Sequence, residues 1–219
     1  MTRFALFRSP VALILAACLA LPFPSHAEET PTTSGGQRID RFLEGLHTLK
    51  AHFRQRVSNP DGLQESQSAG VFYLKRPNRL RWDYQTPFRQ EIVADGARVW
   101  VLDSEIEQVS VKFQSQALAG TPALLLVGNQ PAEHYFDILD LGALSDGLQW
   151  LHLRPKNAEE SQFATILVGF EGDQLRALET TDKFNQITRF DFSEVERNPG
   201  LDPKLFVFSP PPGYDLFSQ

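Results

Sequence analysis

From His52 onward, apolar and polar residues alternate with a period of two over most of the chain, and the alternation breaks only once. That period sends successive side chains to opposite faces of an extended backbone, so it predicts half-buried strands rather than helices. The sharpest case is KRPNRLRWDYQTPFRQEIVADG, residues 75–96. Leu80, Trp82 and Tyr84 fall on one side of it and are expected to face inward. Arg79, Arg81 and Asp83 fall on the other and are expected to face water, while Pro77 and Pro87 frame the segment. Asp95-Gly96 then predicts a tight hairpin into RVWVL, 98–102. Further strands are expected over 63–75 (after the Asn59-Pro60-Asp61-Gly62 turn), 107–112, 135–141, 148–154, 163–170, 174–181 and 186–195. A last strand is expected to carry Phe206 and Phe208 on one side.

Two stretches depart from this pattern. Ile39, Phe42, Leu43, Leu46 and Leu49 recur at helical spacing and predict an amphipathic helix over 39–49. The single break, SQALAGTPALLLVGN at 115–129, is small and apolar with Thr121-Pro122 in its middle, and predicts one or two short helices. The expected fold class is therefore mainly β: one domain, 37–219, built on one large antiparallel sheet of about eleven strands with little helix.

Residues 1–27 have the form of a signal peptide. Arg3 and Arg8 make a basic start, 11–21 an apolar core, and Ser25-His26-Ala27 a cleavage site. Pro22 and Pro24 break the run too early for a membrane span. Residues 28–36, EETPTTSGG, have the composition of a flexible linker. An alternative is LAAC at 15–18, which resembles a lipobox and would lipidate Cys18. The apolar run before that cysteine is only about half the usual length.

The net charge of −6 argues against nucleic acid, whose affinity comes from neutralising phosphates. Cys18 is the sole cysteine, so a chain cleaved after Ala27 would hold no disulfide, thiolate nucleophile or cysteine metal site. Nothing resembles a nucleophile elbow or an H-E-x-x-H zinc pair. His47, His52, His134 and His152 are scattered, and paired acids such as Glu159-Glu160 are most simply solvated. No catalytic residue, metal or cofactor is expected. What the chain has in abundance is apolar bulk, with seventeen phenylalanines and three tryptophans. Trp82, Tyr84, Trp100, Trp150, Phe163, Phe170, Phe190 and Phe192 all lie on expected strands. They suit an ordinary core, or a curled sheet left roomy enough to hold an apolar ligand.

The order G-x-F-x-L-K-R-P-N-R-L-R-W-D-Y-x-x-P, then D-G-x-x-V-W, E-Q-V-S-V, TPALLL and F-x-F-x-P-P-P-G resembles the LolA-type periplasmic lipoprotein carriers. The resemblance runs from the first helix to Gly213. It implies an unclosed antiparallel β-barrel with a helical lid over a cavity for acyl chains. It further implies a monomeric periplasmic chaperone without covalent chemistry. Such a chaperone takes acylated lipoproteins from an inner-membrane ABC transporter and delivers them to an outer-membrane receptor. The arginine of the K-R-P motif, here Arg76, would tie the lid shut, and Leu80 would help receive cargo where other members often carry an aromatic. Candidate cavity residues are Leu80, Trp82, Tyr84, Trp100, Leu118, Leu124, Leu125, Trp150, Phe190 and Phe192. Three rivals stay open: the outer-membrane receptor of the same fold anchored at Cys18, an envelope lipid hydrolase built on His134 or His152, and a lipoprotein-sensing regulatory domain.

Overall fold

A computed structural model describes residues 35–61, 65–157, 159 and 161–218. The expected signal peptide, Cys18 and most of the expected linker lie outside the described residues. The chain runs α1 (Gly35–Leu43), β1 (Thr48–Ser58), β2 (Glu65–Lys75), β3 (Arg79–Thr86), β4 (Gln90–Ala94), β5 (Arg98–Asp103) and β6 (Gln108–Phe113). Three short helices follow, α2 (Gln114–Ala117), α3 (Ala123–Val127) and α4 (Ala132–Tyr135). Then come β7 (Phe136–Ala143), β8 (Gln149–Pro155), β9 (Phe163–Glu171), β10 (Gln174–Asp182) and β11 (Ile187–Arg197), a 3-10 turn (Pro203–Phe206) and β12 (Asp215–Ser218).

The strands form one sheet in the order β12-β6-β5-β4-β3-β2-β1-β11-β10-β9-β8-β7. It consists of two meanders, β1 to β6 and β7 to β11, laid side by side and joined where β1 pairs antiparallel with β11, from Leu49↔Arg197 to Ser58↔Ile187. The outer strands β7 and β12 do not pair, so the sheet stays open, as expected. The helical segment α2 to α4 links the far strand of one meander, β6, to the far strand of the other, β7. It therefore has to cross a face of the sheet, and it crosses the concave one.

Alternation decides what each face carries. On the concave side Phe53, Phe72, Leu74, Leu80, Leu151, Leu153, Ile166 and Phe170 are buried with α1's Ile39 and Phe42 and the lid's Leu125 and Val127 in one cluster. The convex side of β2 to β6 is also apolar, with Val71, Val93, Leu102, Val109 and Val111 all buried. The C-terminal segment covers it: Phe206 is 2% exposed, and Phe208 stacks on Trp100 with ring centroids 5.2 Å apart. The phenylalanine-rich composition thus serves two layers.

Three expectations need correction. The first helix ends at Leu43 rather than 49, because Gly45 takes φ +62 and turns the chain. Leu46 and Leu49 are buried as their spacing suggested, but Leu49 belongs to β1. The same helix starts inside the expected linker. Gly35 and Gly36 are buried there, and only a glycine fits at 36, since a Cβ would overlap the Glu133 carboxylate of α4. The third concerns the chain end, where 205–208 is no strand. Asp202 accepts the Lys204 N–H and starts the 3-10 turn. The later prolines lack the N–H donors a ladder requires. The final strand is β12, parallel to β6 from Asp215↔Gln108 to Ser218↔Val111, which brings the strands among the described residues to twelve.

Candidate functional site: a lidded apolar cavity

Between the concave sheet and its helices lies a cavity of about 410 Å³. The sheet supplies Trp82, Tyr84, Ile92, Val99, Phe163, Phe170, Phe190 and Phe192; α1 supplies Ile39, Phe42 and Leu43; the lid supplies Leu118, Leu125 and Leu126. Among the described residues no charged side chain lines it, and those with a polar group are few: Thr121, Thr180, Thr188, Tyr84 and Trp82, whose indole nitrogen is itself buried. Thr121 Oγ1 donates to the Leu118 carbonyl. Burial pushes the Tyr84 phenol up to about 12, so it stays protonated at neutral pH. Among the described residues no group of three or more His, Cys, Asp or Glu could hold a metal.

Of the ten candidate cavity residues, six line it: Trp82, Tyr84, Leu118, Leu125, Phe190 and Phe192. Leu80 lies on the same side of β3 but is buried in the core cluster and does not reach the void. Leu124 sits on the opposite side of α3, against Gly120, His134 and Tyr135. Trp100 and Trp150 are on the convex face. In β5 the inward places go to Val99 and Val101, so Trp100 points out, where its indole donates to Asp95 (2.8 Å). In β8 Leu151 and Leu153 point in, and Trp150 donates to Asp146 (3.0 Å) under the Arg189 guanidinium. Arg81 and Asp83 are convex as expected, yet they do not face open water. Arg81 bonds Asp83, Glu91 (2.8 Å) and the Leu205 carbonyl beneath the C-terminal segment. Burial opposes its charge, but the Asp83 and Glu91 carboxylates outweigh that and raise its pKa.

Arg76 follows the end of β2. Its guanidinium Nη2 donates to the carbonyl of Gly128, the residue that caps α3, at 2.7 Å. The adjacent Asn78 N–H donates to the Val127 carbonyl (3.1 Å). These are orphan carbonyls of a helix C-terminus, the groups most in need of a donor. Burial lowers the Arg76 pKa, and its Nη1 is buried with no acceptor among the described residues. At the other end of the lid, Gln114 spans two turns, donating to the Asn78 carbonyl and accepting from the Gly96 N–H (both 3.0 Å).

α1 is held by a group the sequence reading did not identify. Arg197 donates to the Phe42 (2.7 Å) and Glu44 (3.1 Å) carbonyls and lies over the Phe42 ring. Asn198 accepts from the His47 and Thr48 N–H groups and donates to the Gly45 carbonyl. Arg38 and Arg41 add a bond to the Gly172 carbonyl and an ion pair with Asp173.

An open antiparallel sheet curled around an apolar cavity, with helices across its mouth, is the architecture of a class of apolar-ligand-binding proteins. The model of the family described as outer membrane lipoprotein carrier protein LolA matches residues 44–209, and the chain belongs to that family. It is 44% identical over 207 residues to the outer-membrane lipoprotein carrier protein of Methylococcus capsulatus, covering 94% of this chain and 97% of that one. It is 38% identical over 208 residues to the protein of the same name in Dechloromonas aromatica, covering 94% and 96%. A crystal structure of an uncharacterized conserved protein from Thermus thermophilus shares the fold, with a TM-score of 0.53 at 13% identity over 84% of this chain and 98% of that one.

Proposed function

We propose that this chain is a periplasmic, non-enzymatic, monomeric carrier that shelters the acyl chains of lipoproteins in its cavity. It takes them from an inner-membrane ABC transporter and yields them to an outer-membrane receptor. The observation that carries this reading is the cavity lining, which offers an acyl chain predominantly apolar walls and no charged side chain among the described residues. Each CH₂ hidden there instead of exposed to water is worth about 0.8 kcal/mol. The carrier names of its relatives agree.

A carrier must also let go, and the helices suggest how. At about 410 Å³ the cavity is at the smaller end of ligand pockets, so cargo with several acyl chains needs the cover to lift further. α1 is tied by Arg197, Asn198, Arg38 and Arg41, whereas the lid is held at its start by Gln114 and at the end of α3 by Arg76 and one backbone bond. The lid is accordingly α2 to α4, and Arg76 is its latch. Closure of the empty lid opposes lipid binding and makes release to a better binder feasible.

The test is displacement of an environment-sensitive apolar dye from the protein. An acylated lipopeptide should compete, and the same peptide without acyl chains should not. Equal competition by both would indicate a peptide groove and defeat the acyl-chain reading.

A further inference from the structure

Tyr84, Thr180 and Thr188 line the cavity, and their hydroxyls bond nothing among the described residues. Nor are they sealed off: the unpartnered side-chain polar atoms that reach no surface belong to Arg38, Gln55, Arg76 and Trp82. Thr180 is only 5% exposed and lines the cavity, so its free hydroxyl opens there. The hydroxyls share one end of the chamber. Thr180 and Thr188 stand directly opposite each other on β10 and β11, beside the hairpin closed by Asp182 and Gln186. The pairs Ser58↔Ile187, Ser58↔Glu65 and Ala69↔Thr86 bring the start of β11 and the end of β3, with Tyr84, toward that same edge of the sheet. The opposite end is made by Ile39, Phe42 and Leu43 of α1 with Phe170 and Leu175, none of which carries a polar side-chain atom. There α1 is fixed to Gly172 and Asp173 of the β9–β10 turn, and Phe42 meets Phe170 edge-on at 5.7 Å.

A uniformly apolar chamber would take a fatty chain in either direction. This one is graded, and the grading has a chemical counterpart in a ligand whose chains end in methyl groups but begin in ester carbonyls. Valine has the shape of threonine and suits a strand as well, so packing does not ask for two hydroxyls facing a void. An ester oxygen brought into an apolar pocket needs a donor. We propose that the Thr180 and Thr188 hydroxyls donate to the ester carbonyls of the diacylglyceryl group of an acylated protein, so that cargo lies with its glyceryl end at the β10–β11 hairpin and its chain ends against α1. Directly opposed residues of an antiparallel pair have Cβ atoms about 5 Å apart, a spacing that suits two esters on neighbouring glycerol carbons. This rests on the acyl-carrier reading above and adds to it an orientation and the atoms that impose it.

The experiment uses two competitors for the apolar dye: a peptide with a dioctanoylglyceryl group on its N-terminal cysteine, and its dioctyl ether counterpart, in which each ester carbonyl is a methylene. The ratio of the two affinities is read within each protein, so a general change of affinity in a cavity variant cancels. From wild type to the Thr180→Val, Thr188→Val double variant, that ratio should shift against the ester by roughly two- to tenfold, the worth of a single net hydrogen bond. Thr180→Ser with Thr188→Ser keeps both hydroxyls and should hold the wild-type ratio. An unchanged ratio in the valine variant, or an equal shift in the serine variant, overturns the subsite and leaves the cavity standing. A shift seen with free dioctanoylglycerol and its ether, but not with the lipopeptides, assigns the hydroxyls to free glycerolipid and also overturns the proposal. If neither lipopeptide displaces the dye from wild type, the carrier reading falls and this inference with it. Orientation is read on ¹⁵N-labelled wild type, whatever the variants' folding. A nitroxide at the chain end should broaden the amides of 39–43 more than those of 180–188, and a nitroxide on the peptide should do the reverse. Any other pattern refutes the proposal.

Discussion

Replacing Arg76 by leucine keeps apolar bulk at the end of β2 and removes the guanidinium that reaches Gly128. The bond lost is short, 2.7 Å, and carries a charge on the donor, which puts it at about 1.5–3 kcal/mol. Two features draw the value to the lower end: the second nitrogen Nη1 has no acceptor among the described residues, and burial already disfavours the charged form. About 1.5 kcal/mol shifts the closed-to-open balance of the empty lid roughly tenfold. Amide hydrogen exchange over 114–135 in the empty protein should quicken by about that factor, while β1 and β11 exchange as before. Release of a labelled lipopeptide to receptor-bearing membranes should slow comparably, because the closed empty state that competes with cargo is weakened. Arg76→Lys should fall between, as it keeps the charge but loses the planar fork. If Arg76→Leu matches wild type in both exchange and release, Arg76 is a rim cation and the latch mechanism is wrong.

Trp100→Ala removes a convex-side ring that stacks on Phe208, so urea unfolding should show a loss of about 2 kcal/mol with dye binding to the cavity unchanged. Asn198→Ala deletes three hydrogen bonds at the root of α1 and should cost about 1–2 kcal/mol by the same measurement, without altering cargo release. The Trp150 indole, assisted by the Leu148 N–H and Arg189, holds the Asp146 carboxyl below its ordinary value against the opposing effect of desolvation. A depressed folded pKa gives stability that is complete above the ordinary carboxylate range and lost as pH falls through it. Acid unfolding of Asp146→Asn should therefore have a shallower pH dependence between about pH 5 and 3 than wild type.

Period-two alternation placed nearly every strand within a residue or two of where it lies, because half-burial imposes it. It failed where both neighbours were apolar. In RVWVL every inner residue is hydrophobic, so the pattern could not say whether Trp100 or its flanking valines faced inward. In QWLHL a signal was present: Trp150 shares its side with His152 and faces outward with it, and Asp146 stands ready to accept its indole proton. Burial at Leu46 and Leu49 mimicked a helix because a spacing of three fits both a helix and the turn at Gly45 into β1. The arginine behind the K-R-P motif was locatable, but the partner of its guanidinium was not, since Gly128 is 52 residues away along the chain. Arg197 and Asn198 were invisible for the same reason: their partners lie 150 or more residues away, at the other end of the sequence.

The junction of the two meanders has a consequence for the order in which this molecule can be built. β1 is the first strand of the chain, and its second neighbour, β11, is the last antiparallel one. A nascent chain can zip β1 through β6 by successive hairpins, each closing a short loop. The floor of the cavity waits for residues 187–197 to arrive and find 48–58. Pairings across such sequence separations are slow to form. In the interval the concave side of the first meander, with Phe53, Phe72 and Trp82, is uncovered. The ligand compartment is thus one of the last parts of the chain to be completed, and a protein that shields other molecules' apolar groups begins by exposing its own.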